Sequence, residues 1–267
     1  MADPLYLPVT DTAEIRNLLK GFPLVVDGER FVDFALGFPR RYLVQTPRLE
    51  MVKHFLLAEN LGNRKVITSL AQDNSRWRLS LVSRDRSGLF ALISGTLSCW
   101  GANILTAEAF ANAHSVVLDT LLFEDPEQRF REPAERHRFQ AMLEDVISGE
   151  QPLEPLLAGR WPDISTWEPE PLEVSFDNQS YARETVMELH CRDRFGLLYL
   201  VSRHLAEQGI SIDMAYIRTE AQQAADQFYL TREGRKLNAV EIETLQRNFA
   251  SFPMPRFESP AVRTART

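Results

Sequence analysis

Apolar and polar positions along the 267-residue chain form a pattern that occurs twice. An apolar run at 77–82 leads to Asp85-Arg86-Ser87-Gly88, and a segment of helical period follows with Leu89, Leu92, Ile93, Thr96, Leu97 and Trp100 on one face. A second run at 185–189 leads to Asp193-Arg194-Phe195-Gly196, after which Leu197, Leu200, Val201 and Leu205 repeat the spacing. Each helix meets a glycine, Gly101 or Gly209, where a left-handed cap stops it. A β-branched segment comes next, Asn103-Ile104 in one copy and Ile210-Ser211-Ile212 in the other. The repeat is strand, glycine turn, helix, glycine stop, strand.

The pattern continues alike in both copies. After the first helix, 104–111 and 115–123 read as strands around a polar turn, and 133–147 as a helix with Phe139, Met142, Leu143 and Val146 inward. Residues 156–170, with Trp161-Pro162 and Glu168-Pro169-Glu170-Pro171, read as an extended connector, and 172–176 as a fourth strand. In the second copy the elements are a strand at 184–191, a helix to 208, strands at 210–219 and 225–231, a helix at 239–249 and a short strand at 254–257. Each copy is then βαββαβ, which gives an α+β fold of two ferredoxin-like units, each an antiparallel four-stranded sheet with two helices on one face.

Residues 1–63 form a helical leader. Asp11 is placed to cap a helix that Gly21-Phe22-Pro23 ends, and Thr46-Pro47 marks another helix start. The apolar content of 31–61 requires cover from the first unit or from a partner. Arg40-Arg41 reads as a solvated helix end, with anion binding as the alternative. The divisions expected are leader 1–63, first unit with connector 64–178, second unit 179–257 and a disordered tail 258–267.

Composition narrows the classes. With 44% hydrophobic and 25% charged residues the chain has the make-up of a soluble globular protein. A net charge of −7 gives no general attraction to nucleic acid or anionic lipid, so neither nucleic acid nor membrane is an expected partner. There is no bilayer-length apolar run and no signal-peptide pattern, and a cytoplasmic location is expected. Cys99 and Cys191 read as buried small apolar residues. His54, His114, His137, His190 and His204 lack zinc-type spacing, so no metal and no cofactor is expected.

Candidate chemistry lies at the two turns. A helix N-terminus carries N–H groups without intrahelical acceptors and receives a carboxylate, while a glycine admits close approach. Asp85 and Asp193 can accept from an ammonium group, and an α-amino acid carries both charges. Aspartate as a helix cap and glycine as a turn residue explain the same motif. Its recurrence fits both accounts.

Asp85-Arg86-Ser87-Gly88-Leu89-Phe90 with Gly101-Ala102-Asn103-Ile104, and Asp193-Arg194-Phe195-Gly196-Leu197-Leu198 with Gly209-Ile210-Ser211-Ile212, resemble the ACT domain, an amino-acid-sensing ferredoxin-like module. Leu118-Asp119-Thr120, Phe176-Asp177-Asn178, the stretch 227–236 and the leader from Phe38 to His54 resemble the C-terminal tandem of the bacterial protein-PII uridylyltransferase and uridylyl-removing enzymes. The resemblance spans about residues 31–257. It implies ligand contacts at Asp85, Arg86, Ser87, Gly88, Leu89, Phe90, Asn103 and Ile104, and at Asp193, Arg194, Phe195, Gly196, Leu197, Leu198, Ile210, Ser211 and Ile212. Ser87 and Phe195 stand where the family often has proline.

The family's catalytic motifs, a Gly-Ser turn with Asp-x-Asp and an adjacent His-Asp pair, do not occur in this sequence. The resemblance therefore implies a regulatory protein that senses an amino acid, glutamine favoured, and signals to a protein partner in nitrogen regulation. Its ACT units would pair within the chain or as a homodimer. Two alternatives stand beside this: a ligand-free ACT dimerisation platform, and the regulatory piece of a split uridylyltransferase.

Overall fold

The computed structural model describes residues 5, 7–20, 26–84, 86–160, 172–193, 196–220, 223–250 and 252. The leader supplies α1 (Thr12–Leu18), α2 (Gly28–Ala35), α3 (Arg40–Gln45) and α4 (Arg48–Leu61). Asp11 caps α1 by accepting from Ala13 N at 2.8 Å, and Asp27 caps α2 by accepting from Glu29 N at 3.0 Å. Short acceptors at these positions satisfy N–H groups that the helix leaves unpaired.

The strands are β1 (Val66–Asp73), β2 (Arg76–Arg84), β3 (Asn103–Ala111), β4 (Val116–Glu124), β5 (Glu173–Asp177), β6 (Thr185–Arg192), β7 (Ser211–Tyr216), β8 (Thr219–Glu220) and β9 (Gln223–Thr231). They form one sheet in the order β1-β2-β4-β3-β7-β9-β6-β5, with β8 paired to β9. Every pairing is antiparallel. Helices α5 (Leu89–Cys99), α6 (Pro133–Ser148), α7 (Leu153–Arg160), α8 (Leu197–Glu207) and α9 (Ala239–Ala250) complete the described elements. The two ferredoxin-like units thus share a sheet, and α5 of the first packs on α8 of the second.

The fold class follows the sequence pattern, but the fourth strand of each unit comes from a different place. Residues 173–177 do form a strand, yet it pairs with β6 of the second unit. The edge beside β2 is already taken by β1, which reaches it through a tight turn at Asn74, held at φ 57°. Each unit is accordingly built ββαββα, with the ferredoxin-like sheet order kept and the chain opened at another point. The strand expected at 254–257 and the tail lie outside the described residues. The connector begins as helix α7 rather than as extended chain, because Leu153 and Leu157 are buried in the core. Proline at 155 falls in the first turn of that helix, where its missing N–H has no acceptor to lose.

Alternation along the strands sends side chains to two layers. Leu79, Leu81, Leu121 and Phe123 enter the core under α5 to α9, and Val82, Phe110 and Leu118 enter a second core with the leader's Phe31, Phe38, Tyr42 and Phe55. Each of these phenylalanines, taken out of water, stabilises the fold by about 2–3 kcal/mol before entropy is counted. The leader therefore covers the outer face of the first unit, one of the two expectations for it. Its position is fixed at the β3–β4 hairpin, where Ala113 N donates to Leu36 O at 2.8 Å and Asn112 Nδ2 to Phe34 O at 3.0 Å. Gly37, at φ 90°, admits this approach, since a Cβ there would stand 2.3 Å from Ala113 N.

The expected solvated end at Arg40-Arg41 is not what forms. Arg40 pairs with Glu14. Arg41 is 5% exposed, with its guanidinium 4.8 Å from the Phe110 ring centroid. Periodicity within α3 cannot reveal this, because the residues that bury Arg41 belong to the sheet. Cys99 and Cys191 are buried as expected, and burial pushes the Cys99 thiol up to about 12. Among the described residues no helix is long and apolar enough to cross a membrane.

Candidate functional site

The units meet where β3 and β7 pair over Thr106–Tyr216, Ala107–Ala215 and Glu108–Met214. Each strand carries a bulge at the same place in its repeat, between Ile104 and Thr106 in β3 and between Ile212 and Met214 in β7. A bulge adds a residue and increases local twist, so the two strands diverge on both sides of the short seam. A pocket opens at each divergence.

The larger pocket, about 540 Å³, is lined by Arg86, Ser87, Gly88, Leu89 and Phe90 of the first turn and by Ile210, Ser211 and Ile212 of the second unit. The smaller, about 160 Å³, is lined by Asp193, Gly196, Leu197 and Leu198 of the second turn and by Asn103 and Ile104 of the first unit. Each turn thus faces the strand start of the other unit. Asp85, Arg194 and Phe195 lie outside the described residues.

Gly88 at φ 76° and Gly196 at φ 74° are both left-handed and stand as N-caps of α5 and α8. A cap without a side chain leaves first-turn N–H groups open to a ligand acceptor. A Cβ on Gly88 would meet only Ala206 Cβ, at 3.8 Å, so its glycine is required by backbone conformation and not by crowding. Asp193 Oδ2 accepts from Thr219 Oγ1 at 3.1 Å, which ties the second turn to β8.

Besides the exposed Glu233, four acidic residues that the motif did not supply line these pockets. Asp119 and Asp226 occupy equivalent places, opposite Leu81 of β2 and Leu189 of β6, and are 3% and 2% exposed. Asp119 lines the larger pocket and Asp226 the smaller. Burial raises the Asp226 carboxyl to about 7, with the Arg218 N–H opposing the rise and the Asp193 charge adding to it. In the larger pocket stand Glu184, 4% exposed, and Asp213. Burial and the Glu184 charge raise Asp213 to about 6 against the Thr231 hydrogen bond, Arg41 and Arg183. Burial also raises Glu184, with Arg41 opposing.

The strand pattern held a signal for two of them. Period two places Asp119 with Val117 and Leu121, and Asp226 with Ala224 and Phe228, so one acid interrupts an inward apolar face in each copy. Glu184 and Asp213 carried no such mark, since Glu184 precedes β6 and Asp213 is the bulge residue of β7, so neither falls in a regular alternation.

These features define the class: paired ferredoxin-like units joined in one sheet, with pockets between them, in the manner of tandem ACT domains. No family model matches the chain. It is 29% identical over 226 residues to the bifunctional uridylyltransferase/uridylyl-removing enzyme of Azospirillum brasilense, covering 82% of this chain and 24% of that protein. The enzyme of the same name from Bradyrhizobium diazoefficiens is 29% identical over 234 residues, 85% of this chain and 25% of that one. That from Erythrobacter litoralis is 32% identical over 157 residues, 57% of this chain and 17% of that one. The chain spans about a quarter or less of the length of these relatives. A solved aspartate kinase from Synechocystis aligns with 66% of this chain and 27% of its own at 15% identity and a TM-score of 0.36, a likeness too loose to bear on function.

Proposed function

We propose that the chain is a regulatory module that binds an amino acid, glutamine favoured, in the larger pocket between its ACT units. It then passes the bound state to a catalytic or partner protein of PII uridylyltransferase-type nitrogen regulation in the cytoplasm. One observation carries the reading: the Gly88 turn and the 210–212 strand start, from different units, wall a single pocket. An open helix N-terminus and buried carboxylates both line that pocket. A zwitterion complements both, its carboxylate at the helix start and its ammonium at the acids. Similarity to the uridylyltransferase/uridylyl-removing enzymes supports the regulatory setting.

Binding would act by linkage. A ligand that touches both units favours one arrangement of the seam, and whatever reads that arrangement responds. Calorimetric titration with glutamine tests the reading. Saturable heat that is lost in Gly88→Val supports it, whereas no heat with glutamine or any other common amino acid leaves a ligand-free pairing platform as the better account.

A further inference from the structure

The repeat lets the two ends of the seam be compared position by position. At the smaller pocket the seam gains one more bond, Ile217 N to Leu105 O at 2.9 Å, and Leu105 is the bulge residue of β3. The bulge residue of β7 is Asp213, and its carbonyl oxygen accepts from Arg41 Nη2 of the leader at 3.4 Å. Arg41 Nη1 meets Met214 Sδ at 3.3 Å, and Phe110 lies under the guanidinium. A leader cation therefore stands where the repeat places a strand N–H, and Pro39 and Gly37 of the leader line the larger pocket with it.

The same end of the seam holds a buried carboxylate with spare hydrogen-bonding capacity. Glu184 lines the pocket at 4% exposure, and its Oε2 makes no hydrogen bond among the described residues. A buried carboxylate oxygen without a donor is costly unless a cation or a donor reaches it. The Arg41 charge acts on both Glu184 and Asp213. An ammonium group entering the pocket would meet these acids and be repelled by Arg41.

We propose that Glu184 receives the ammonium group of the bound amino acid, and that Arg41 competes with this group for the acidic end of the pocket, so that ligand binding and docking of the leader oppose each other. The inference rests on the amino-acid reading above and deepens it. Among the described residues the smaller pocket shows no counterpart of this device, and its end of the seam is closed by the bond from Ile217 N to Leu105 O. Coupling of this kind is reciprocal: what the ligand does to the leader, the leader does to the ligand.

The test is calorimetry of the full chain with glutamine and with its des-amino analogue, on wild type, Arg41→Gln and Glu184→Gln, with amide hydrogen exchange of residues 28–61 at zero and saturating glutamine. Arg41→Gln is expected to tighten glutamine roughly tenfold, within the usual range of coupling between sites. Glutamine is expected to speed exchange in the leader of wild type and not of Arg41→Gln. Glu184→Gln should weaken glutamine and leave the des-amino analogue unaffected. Glutamine binding that Gly88→Val abolishes, with unchanged affinity in Arg41→Gln and unchanged leader exchange, would overturn the competition and leave the amino-acid reading intact. Absence of binding by any common amino acid in both wild type and Arg41→Gln would overturn the two together. Retention of fold in each variant is read from its thermal transition, and Arg41→Lys, which keeps the charge, is expected to bind as wild type does.

Discussion

The ring of Tyr199 in α8 lies across Gly95 of α5 so closely that a Cβ on Gly95 would stand 2.8 Å from Tyr199 Cδ2. The same Cβ would be 2.5 Å from Leu153 Cδ2 of α7, and Leu153 and Tyr199 are both buried. Glycine in mid-helix is here the hole into which the second unit inserts an aromatic knob. Alanine at this position gains about 1 kcal/mol of helix propensity but forces a buried ring to move, at a cost of about 1–3 kcal/mol. Gly95→Ala is therefore expected to lower stability, and Gly95→Val to lower it further, measured by urea unfolding. Equal or greater stability of the alanine variant would mean that the helices can separate freely.

Much of the fold was legible because its signals are local. Gly88, Gly101, Gly196 and Gly209 all have positive φ, as the turn and cap pattern requires, and α5 and α8 begin where the motif predicts. What escaped was pairing between segments distant in sequence. Residues 173–177 look alike as a last strand of one unit or a first strand of the next, and only the presence of β1 at the other edge decides. The site divides in the same way. The turns were visible as motifs, while Glu184 and Asp213 meet only through the pairing of β6, β9 and β7, and Arg41 joins them only when the leader docks.

Asp226 gives a pH-dependent prediction. Its carboxyl is raised to about 7, so the folded protein retains a proton that the unfolded chain releases near 4. The stabilisation is complete below the unfolded value and is lost as pH rises through about 7. Asparagine cannot ionise and keeps the acceptor for Arg218 N, which donates at 3.1 Å. Asp226→Asn should match wild type near pH 4 and exceed it above pH 7 by up to about 4 kcal/mol, seen as a rising difference in urea midpoint. A constant difference across pH would place the proton elsewhere.

His54 titrates with the opposite sign. It is 3% exposed, with Nδ1 3.2 Å from Tyr42 Oη and Nε2 3.4 Å from Ser80 Oγ, and so links the leader to β2. Burial lowers it to about 4, with Glu50 opposing and Arg78 and Lys53 adding to the drop. The unfolded chain then takes up a proton that the folded one refuses, so this stabilisation is complete above about 6.5 and is lost as pH falls towards 4. The loss amounts to about 3 kcal/mol. Asp226 and Asp213 gain stability over part of the same window, so the comparison must be between wild type and His54→Gln at each pH. The glutamine variant, which offers both a donor and an acceptor, should lose the acid sensitivity of leader amide exchange. If its leader opens with the same pH profile as wild type, His54 is not the group that titrates.

The two pockets should differ in function although their turns match. A space of about 540 Å³ suits a small-molecule site, whereas about 160 Å³ falls well below the usual range. The smaller pocket is also restrained by the Asp193–Thr219 hydrogen bond and by the added seam bond from Ile217 N. One amino acid per chain is therefore expected. Gly88→Val places a branched side chain at φ 76° on the wall of the larger pocket, where its own Cβ has room. It should cost about 1–2 kcal/mol in backbone strain and abolish binding. Gly196→Val carries the same strain in the smaller pocket and should leave stoichiometry and affinity nearly unchanged. Calorimetric stoichiometry decides the matter: two equivalent sites, or loss of binding in Gly196→Val alone, would assign the ligand by the symmetry of the repeat and not by the size and charge of the space it leaves.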